Sequence, residues 1–351
     1  MSPGHLPPPG GRSSGHPTIA DVARLAEVSI ATASKALNGR KGTGAATADR
    51  VREAADRLGY RPNALARGLL AGRSFTVGLI TSDSFGRFSF PVLLGAEDAF
   101  GGDQVSVFLC DGRGDPVREQ HYLRTLLERR VDGIIVTARR QDPRPPIGRG
   151  LPVPVVYAIT QTLDPEDGVS VVADDVGGAA LAVRHLATTG RRFIGHITGP
   201  ERFLAARDRA AGAAEELRKV GLDLAGGGAL FGEWTEEWGR QATSILLRQA
   251  REVDAIFCGN DQIARGVAEV LREMGRRVPD DVALVGFDNW EVLSACCRPP
   301  LSSVDMNLWE LGGFAARTLL DQIAGRSAVG VYKRPCKLVL RESSRAARGA
   351  G

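Results

Sequence analysis

Residues 18–39 read TIADVARLAEVSIATASKALNG. Thr18 with Asp21 three residues on is a capping-box pattern, so a helix starts at Ile19. Ile19, Val22, Ala23 and Ala26 then fall on one helical face. Ala26-Glu27-Val28 reads as a turn, and Ser29 caps a second helix, Ile30 to Leu37, ended by Asn38-Gly39. Ala33, Ala36 and Leu37 face inward, which leaves Ile30, Ala31, Ser34 and Lys35 outward. A third helix is expected from Ala45 to Leu58, with Val51, Ala54, Ala55 and Leu58 inward and Gly59 as its stop. Two short helices joined by a three-residue turn, with small residues at their crossing, suit insertion into a DNA major groove. An ordinary helical hairpin has the same spacing.

The charge around this stretch agrees with a polyanionic partner. Residues 1–73 carry 11 basic and 5 acidic side chains, against 34 and 36 in the remaining 278 residues. A basic head on a slightly acidic body is a nucleic-acid footprint, although a solvated basic face gives the same count. The whole chain has 351 residues and a net charge of +4, enough for two or three domains. No apolar run is long enough to span a bilayer, so no membrane partner is expected. The first 16 residues are rich in proline and glycine and lack an apolar core, so no secretory signal is expected. Five cysteines, an odd number without a Cys-x-x-Cys pair, read as free thiols in a reducing, cytoplasmic setting.

Beyond Ala71-Gly72-Arg73-Ser74 the pattern changes to short β-branched runs alternating with helical stretches. Val77–Ile80, Val105–Leu109, Val131–Val136, Val153–Ile159, Phe193–Ile197, Ala255–Cys258 and Val282–Val285 read as strands. This alternation predicts α/β architecture with parallel sheets flanked by helices, in two lobes because about 265 residues exceed one open sheet. Such sheets place ligands at the carboxyl ends of their strands. The residues there that could bind a small molecule are Asp83, Phe85, Arg207, Arg209, Trp234, Asn260, Asp261 and Asp288. Each could equally be a helix cap or a surface charge, Asn260 and Asp261 above all.

Enzyme chemistry is poorly represented. No glycine-rich phosphate loop and no Gly-x-Ser-x-Gly turn follows a strand. The histidines, at 5, 16, 121, 185 and 196, are scattered. No metal, cofactor or catalytic residue is expected.

The stretch 18–39, followed by RVREAADRLGYRPNALAR at 50–67, closely resembles the head of the lactose/galactose-repressor family. RVDGIIV at 130–136, AARDRAAG at 205–212, AIFCGNDQIARG at 255–266, RVPDDVALVGFDN at 277–289 and PPLSSV at 299–304 resemble its periplasmic-binding-protein-like body. The resemblance implies a sequence-specific DNA-binding regulator, a homodimeric repressor released from a pseudopalindromic double-stranded operator by a small-molecule effector, most simply a sugar or glycoside. A corepressor-dependent repressor or an activator with a non-sugar effector is the alternative. By position, Ser29 and Thr32 would hold phosphates, Asn38 and Tyr60 would contact the DNA backbone, and Ile30, Ala31 and Lys35 would read the base edges, with Thr18 and Ser34 as further DNA-binding positions. Asn63, Ala66 and Leu69 would lie on a hinge helix that folds on DNA, with Leu69 wedged into the minor groove. Arg209 matches a ligand-contacting arginine, Trp234 a stacking aromatic, and Asn260 and Asp288 hydroxyl-binding groups. The departures are Gly44, where the family usually has a serine capping the third helix, Gly68 within the hinge helix, Ile159-Thr160, where the family commonly carries Asp then Arg, and Val172, where some sugar-binding members carry an aromatic. The expected organisation is a disordered tail (1–16), the head (17–62), hinge helix and linker (63–74), the body (75–343) and a disordered tail (344–351). Within the body the first lobe takes 75–172 and 306–325, the second 173–305 and 326–343.

Overall fold

A computed structural model describes residues 17–37, 43–61, 72–101, 105–164, 166 and 168–345. Asn38, the hinge positions Asn63, Ala66, Gly68 and Leu69, and the tails 1–16 and 346–351 lie outside the described residues. The chain divides into two compact units, residues 1–74 and 75–351.

The first unit holds three helices, α1 (Ile19–Leu25), α2 (Ile30–Leu37) and α3 (Ala45–Leu58). Both halves of the expected capping box form: the Asp21 N–H donates to the Thr18 hydroxyl, and the Thr18 N–H donates to the Asp21 carboxylate at 2.9 Å. Ser29 accepts from the Thr32 N–H at 3.0 Å at the start of α2. Gly44 opens α3 without a side-chain cap, and Gly59 closes it in the left-handed conformation. Val22, Ala33 and Val51 are fully buried, with Ala23, Ala36, Ala54 and Ala55 around them. Alanines at the contacts let three short helices approach closely enough to share so small a core.

The second unit carries two six-stranded sheets and a two-stranded one, β4 (Pro143–Arg144) with β6 (Gln161–Thr162). The first is ordered β13 (Gly330–Arg334), β7 (Val169–Ala173), β5 (Val155–Ala158), β3 (Gly133–Thr137), β1 (Thr76–Thr81), β2 (Ser106–Asp111). The second is β14 (Lys337–Val339), β12 (Ser302–Asp305), β11 (Ala283–Phe287), β10 (Ala255–Cys258), β8 (Ile194–Thr198), β9 (Ala229–Phe231). All pairings are parallel except β12 with β14. Among the described residues no helix is long and apolar enough to cross a membrane.

Two boundaries differ from the sequence expectation. Residues 326–343 do not all join the second lobe: Gly330–Arg334 pairs with β7 in the first sheet, and the chain then crosses at residues 335–336 into β14. Adjacent short segments thereby satisfy one edge of each sheet, which composition does not disclose. Residue 344 is not tail: Ser344 is fully buried, with its hydroxyl 2.7 Å from that of Ser302 and 2.8 Å from His185 Nε2.

Helices pack against each other at backbone distance. A Cβ added at Gly95 would overlap the Trp309 carbonyl, and one at Gly312 that of Val92, so helices Ser89–Gly101 and Leu308–Ile323 touch through glycine. Gly212 does the same between Asp175–Thr188 and Leu204–Arg218, and Gly239 and Gly266 between Glu236–Gln249 and Asp261–Glu273. Gly312→Ala should therefore destabilise the body by about 1–3 kcal/mol, the usual cost of overpacking. Gly101→Ala, which faces open space, should leave stability unchanged or raise it by up to about 1 kcal/mol. Thermal unfolding of the two variants checks this, and equal losses would contradict it.

Candidate functional site

In the head, Ala33 and Ala36 fix the buried face of α2, so Ile30, Ala31 and Lys35 are exposed on the opposite face. Ile30 keeps 54% of its surface in solvent. Thr18 and Ser29 are exposed, but their hydroxyls also serve the helix caps; the Ser29 and Thr32 hydroxyls lie 2.8 Å apart. Ser34 is half-buried on the flank of α2, and Tyr60 packs against the three-helix core.

In the body, a cavity of about 280 Å³ lies between the lobes, at the carboxyl ends of the strands. Four of the eight candidate residues line it: Arg209, Trp234, Asn260 and Asp288. Arg209 enters from the first turns of helix Leu204–Arg218 and is buried. Its Nε donates to Asp175 at 2.9 Å, its Nη1 donates to the Gly259 carbonyl at 2.5 Å, and Asp288 lies 3.6 Å away. Its guanidinium stands 3.6 Å over the Phe287 ring and 5.6 Å from that of Trp234. Trp234 rests on Gly199, where a Cβ would overlap the indole. Asn260 caps helix Asp261–Glu273 through Oδ1, which accepts from the Ile263 N–H at 2.8 Å.

Asp288 follows β11 in the left-handed region (φ 92°), as does Asn289 (φ 48°). Ile159, another lining residue, also has positive φ (71°). Non-glycine residues in this region are uncommon, and two of them, Ile159 and Asp288, line the cavity.

The other four candidates lie elsewhere. Asp83 is buried and accepts from the N–H groups of Phe88 (2.7 Å) and Ser89 (3.0 Å), capping a helix. Phe85 is 87% exposed and does not line the cavity. Arg207 turns back to donate to the carbonyls of Glu201 and Arg202. Asp261 accepts from the Ser303 hydroxyl and the Trp290 N–H, both at 2.6 Å, which ties three strand ends together.

Residues that the strand-end reasoning missed complete the cavity. Arg87 reaches from the loop after β1 to Asp288 of the other lobe, donates to Gln262 Oε1 at 3.3 Å, and stacks 4.4 Å over Trp290. Arg139, Arg140, Gln141 and Asp142 follow β3, and Asp142 accepts from the Leu204 N–H at 2.9 Å, capping a helix of the second lobe. The loop after β3 was open to the strand-end rule; Arg87, six residues beyond its strand, gave no such signal.

Burial pushes the Asp175 carboxyl up to about 6 against the pull of Arg209. Burial tends to lower Arg209, but Asp175 and Asp288 outweigh it and hold the guanidinium charged. Burial, then the neighbouring Asp288 charge, pushes Asp261 up to about 7. Burial likewise drives His196, stacked on Phe257 at 4.5 Å, down to about 4, so it is neutral.

The head, residues 18–63, matches the model described as bacterial regulatory proteins, lacI family. Residues 183–344 match the periplasmic binding protein-like domain. The transcriptional regulator CelR of Thermobifida fusca is 34% identical, covering 92% of this chain and 95% of the relative. The chain belongs to the lacI family. Catabolite control protein A of Priestia megaterium is 32% identical over 93% of this chain and 99% of its own length. Among solved structures, a Lac repressor dimer bound to operator and an anti-inducer superposes with a TM-score of 0.68 at 26% identity, over 94% of this chain and 99% of that one. A CelR–cellobiose complex superposes with a TM-score of 0.65 at 30% identity, over 93% and 99%. The protein is thus a DNA-binding transcriptional regulator with a periplasmic-binding-protein-like body.

Two outcomes follow from the buried charges. Arg209→Ala leaves Asp175 without its partner in the interior and should cost about 3–5 kcal/mol of body stability, measured by denaturant unfolding. A loss under 1 kcal/mol would mean that water reaches Asp175. Asp261 has a folded pKa above its unfolded value of about 4, so its contribution is full below pH 4 and lost as pH rises through about 7. The Tm should fall more steeply between pH 4 and 8 in the wild type than in Asp261→Asn; parallel curves would contradict the assignment.

Proposed function

We propose that the protein is a homodimeric, cytoplasmic repressor that binds a pseudopalindromic operator through residues 18–72 and leaves it when a sugar or glycoside enters the interlobe cavity. The reading is carried by one observation: Trp234, Arg209, Asn260 and Asp288 share a single cavity whose walls come from both lobes. An aromatic face suits the C–H groups of a sugar ring, while arginine, asparagine and aspartate suit its hydroxyls. The relatives agree, since one is solved with cellobiose and another is the ribose operon repressor of Escherichia coli strain K12, 33% identical over 87% of this chain and 93% of its own.

A ligand between two lobes changes their closure only through its different affinity for the open and closed forms. Arg87 with Asp288, and Asp142 with the Leu204 N–H, already bridge the lobes and must be kept or exchanged when a ligand binds. On the DNA side, Lys35 offers a donor long enough for guanine O6 or N7, Ile30 an apolar group for a thymine methyl, and Ala31 only shape. One short recognition helix covers too little surface for specific binding, which argues for two copies on two half-sites.

Lys35→Ala should cost about 1–3 kcal/mol on the cognate operator and little on random duplex in titrations at fixed salt. Equal losses would make Lys35 a phosphate contact. Trp234→Ala should weaken the bound sugar by about 0.5–1.5 kcal/mol, measured by calorimetry. If no sugar shifts the melting temperature of the wild type or releases operator, the sugar reading fails.

A further inference from the structure

The charges around the cavity are not balanced. Four guanidinium groups line it, those of Arg87, Arg139, Arg140 and Arg209, against three carboxylates, those of Asp142, Asp175 and Asp288. Their pairing shows where the excess lies. Asp175 serves Arg209, and Asp288 is shared between Arg209 and Arg87. Asp142 is engaged with the N-terminus of helix Leu204–Arg218, itself a centre of partial positive charge. Among the described residues Arg140 has only the Phe203 ring, 4.3 Å away, and Arg139 has no ion pair.

We propose that the effector is a sugar bearing an acid group, carboxylate or phosphate, which Arg139 and Arg140 hold at the first-lobe wall while the ring meets Trp234 and Asp288. This rests on the sugar reading above and narrows it. One negative charge neutralises the lining as it stands. Arg139 and Arg140 carry that excess without a carboxylate partner among the described residues, so an acid group held there gains charge-assisted hydrogen bonds without taking a carboxylate from an existing pair. The other side of the Arg87–Asp288 pair has the opposite character. There a hollow of about 310 Å³ is walled by Asp305 and Glu291 beside Trp290 and Trp309. That wall repels an anion and directs the acid toward Arg139 and Arg140. The cavity volume, at the small end of ligand pockets, fits one ring with a substituent.

The test is calorimetry on the full chain with matched ligands: glucuronate, galacturonate, glucose 6-phosphate and galactose 6-phosphate against glucose and galactose. The proposal expects at least one acid to bind about tenfold or more tighter than its neutral parent, with the preference shrinking as salt is raised. In the double variant Arg139→Gln/Arg140→Gln the ratio of acid to parent should fall to about one. Both side chains are exposed, so the variant is expected to fold, and circular dichroism checks it. Carboxylates alone responding, or phosphates alone, identifies the acid and supports the proposal. Neutral parents binding as tightly as the acids, or a preference that survives the double variant, overturns it while the sugar reading stands. No binding by acids or parents overturns both.

Discussion

Four side chains in contact, Asp175, Arg209, Asp288 and Arg87, hold the centre of the body together. Asp175, Arg209 and Asp288 keep 1%, 5% and 7% of their side-chain surface in solvent, and Arg87 keeps 15%. Charges taken that far out of water destabilise the protein unless each has a partner. The chain therefore persists only with its members together, and its last link crosses from one lobe to the other. The Arg209 guanidinium lies over the Phe287 ring, so the same group that pairs with two carboxylates also packs on the second sheet. A ligand bound beside Asp288 would meet this run of charges, whose Arg87–Asp288 link crosses between the lobes.

Three crossings of the chain between the sheets, at residue 174, at 306–307 and at 335–336, make relative movement of the lobes possible without unfolding either one. Each lobe is stiffened separately by helices meeting at glycine. Between the lobes lie the crossings and polar contacts such as Asp142 with the Leu204 N–H. On the proposed reading, a modest difference in ligand affinity between open and closed forms of this cleft would shift their populations.

Much of this was legible in the residues. The Thr18–Asp21 box, the spacing of alanines and the stop at Gly59 placed all three head helices, because local capping and small-residue periodicity are written in neighbouring positions. Alternating strand and helix patterns foretold the parallel sheets. The site was half legible. Arg209, Trp234, Asn260 and Asp288 meet in one cavity, whereas Asp83 and Asp261, carboxylates at equally suggestive strand ends, serve backbone N–H groups and a serine hydroxyl. A carboxylate that binds a ligand and one that caps a turn look alike in sequence, since the difference lies in which N–H groups the fold brings near. Arg87 escaped notice because its partner is 201 positions away, and the strand Gly330–Arg334 because its five residues suit either sheet edge.

The central claim is that a ligand in the interlobe cleft and DNA on the head share one free energy. Linkage requires that operator change sugar affinity by the same factor that sugar changes operator affinity. The direct measurement is a closed cycle: operator titrated with and without saturating sugar, and the same sugar titrated with and without operator. The account predicts two equal factors well above one. Sugar binding that is tight yet indifferent to operator would contradict it.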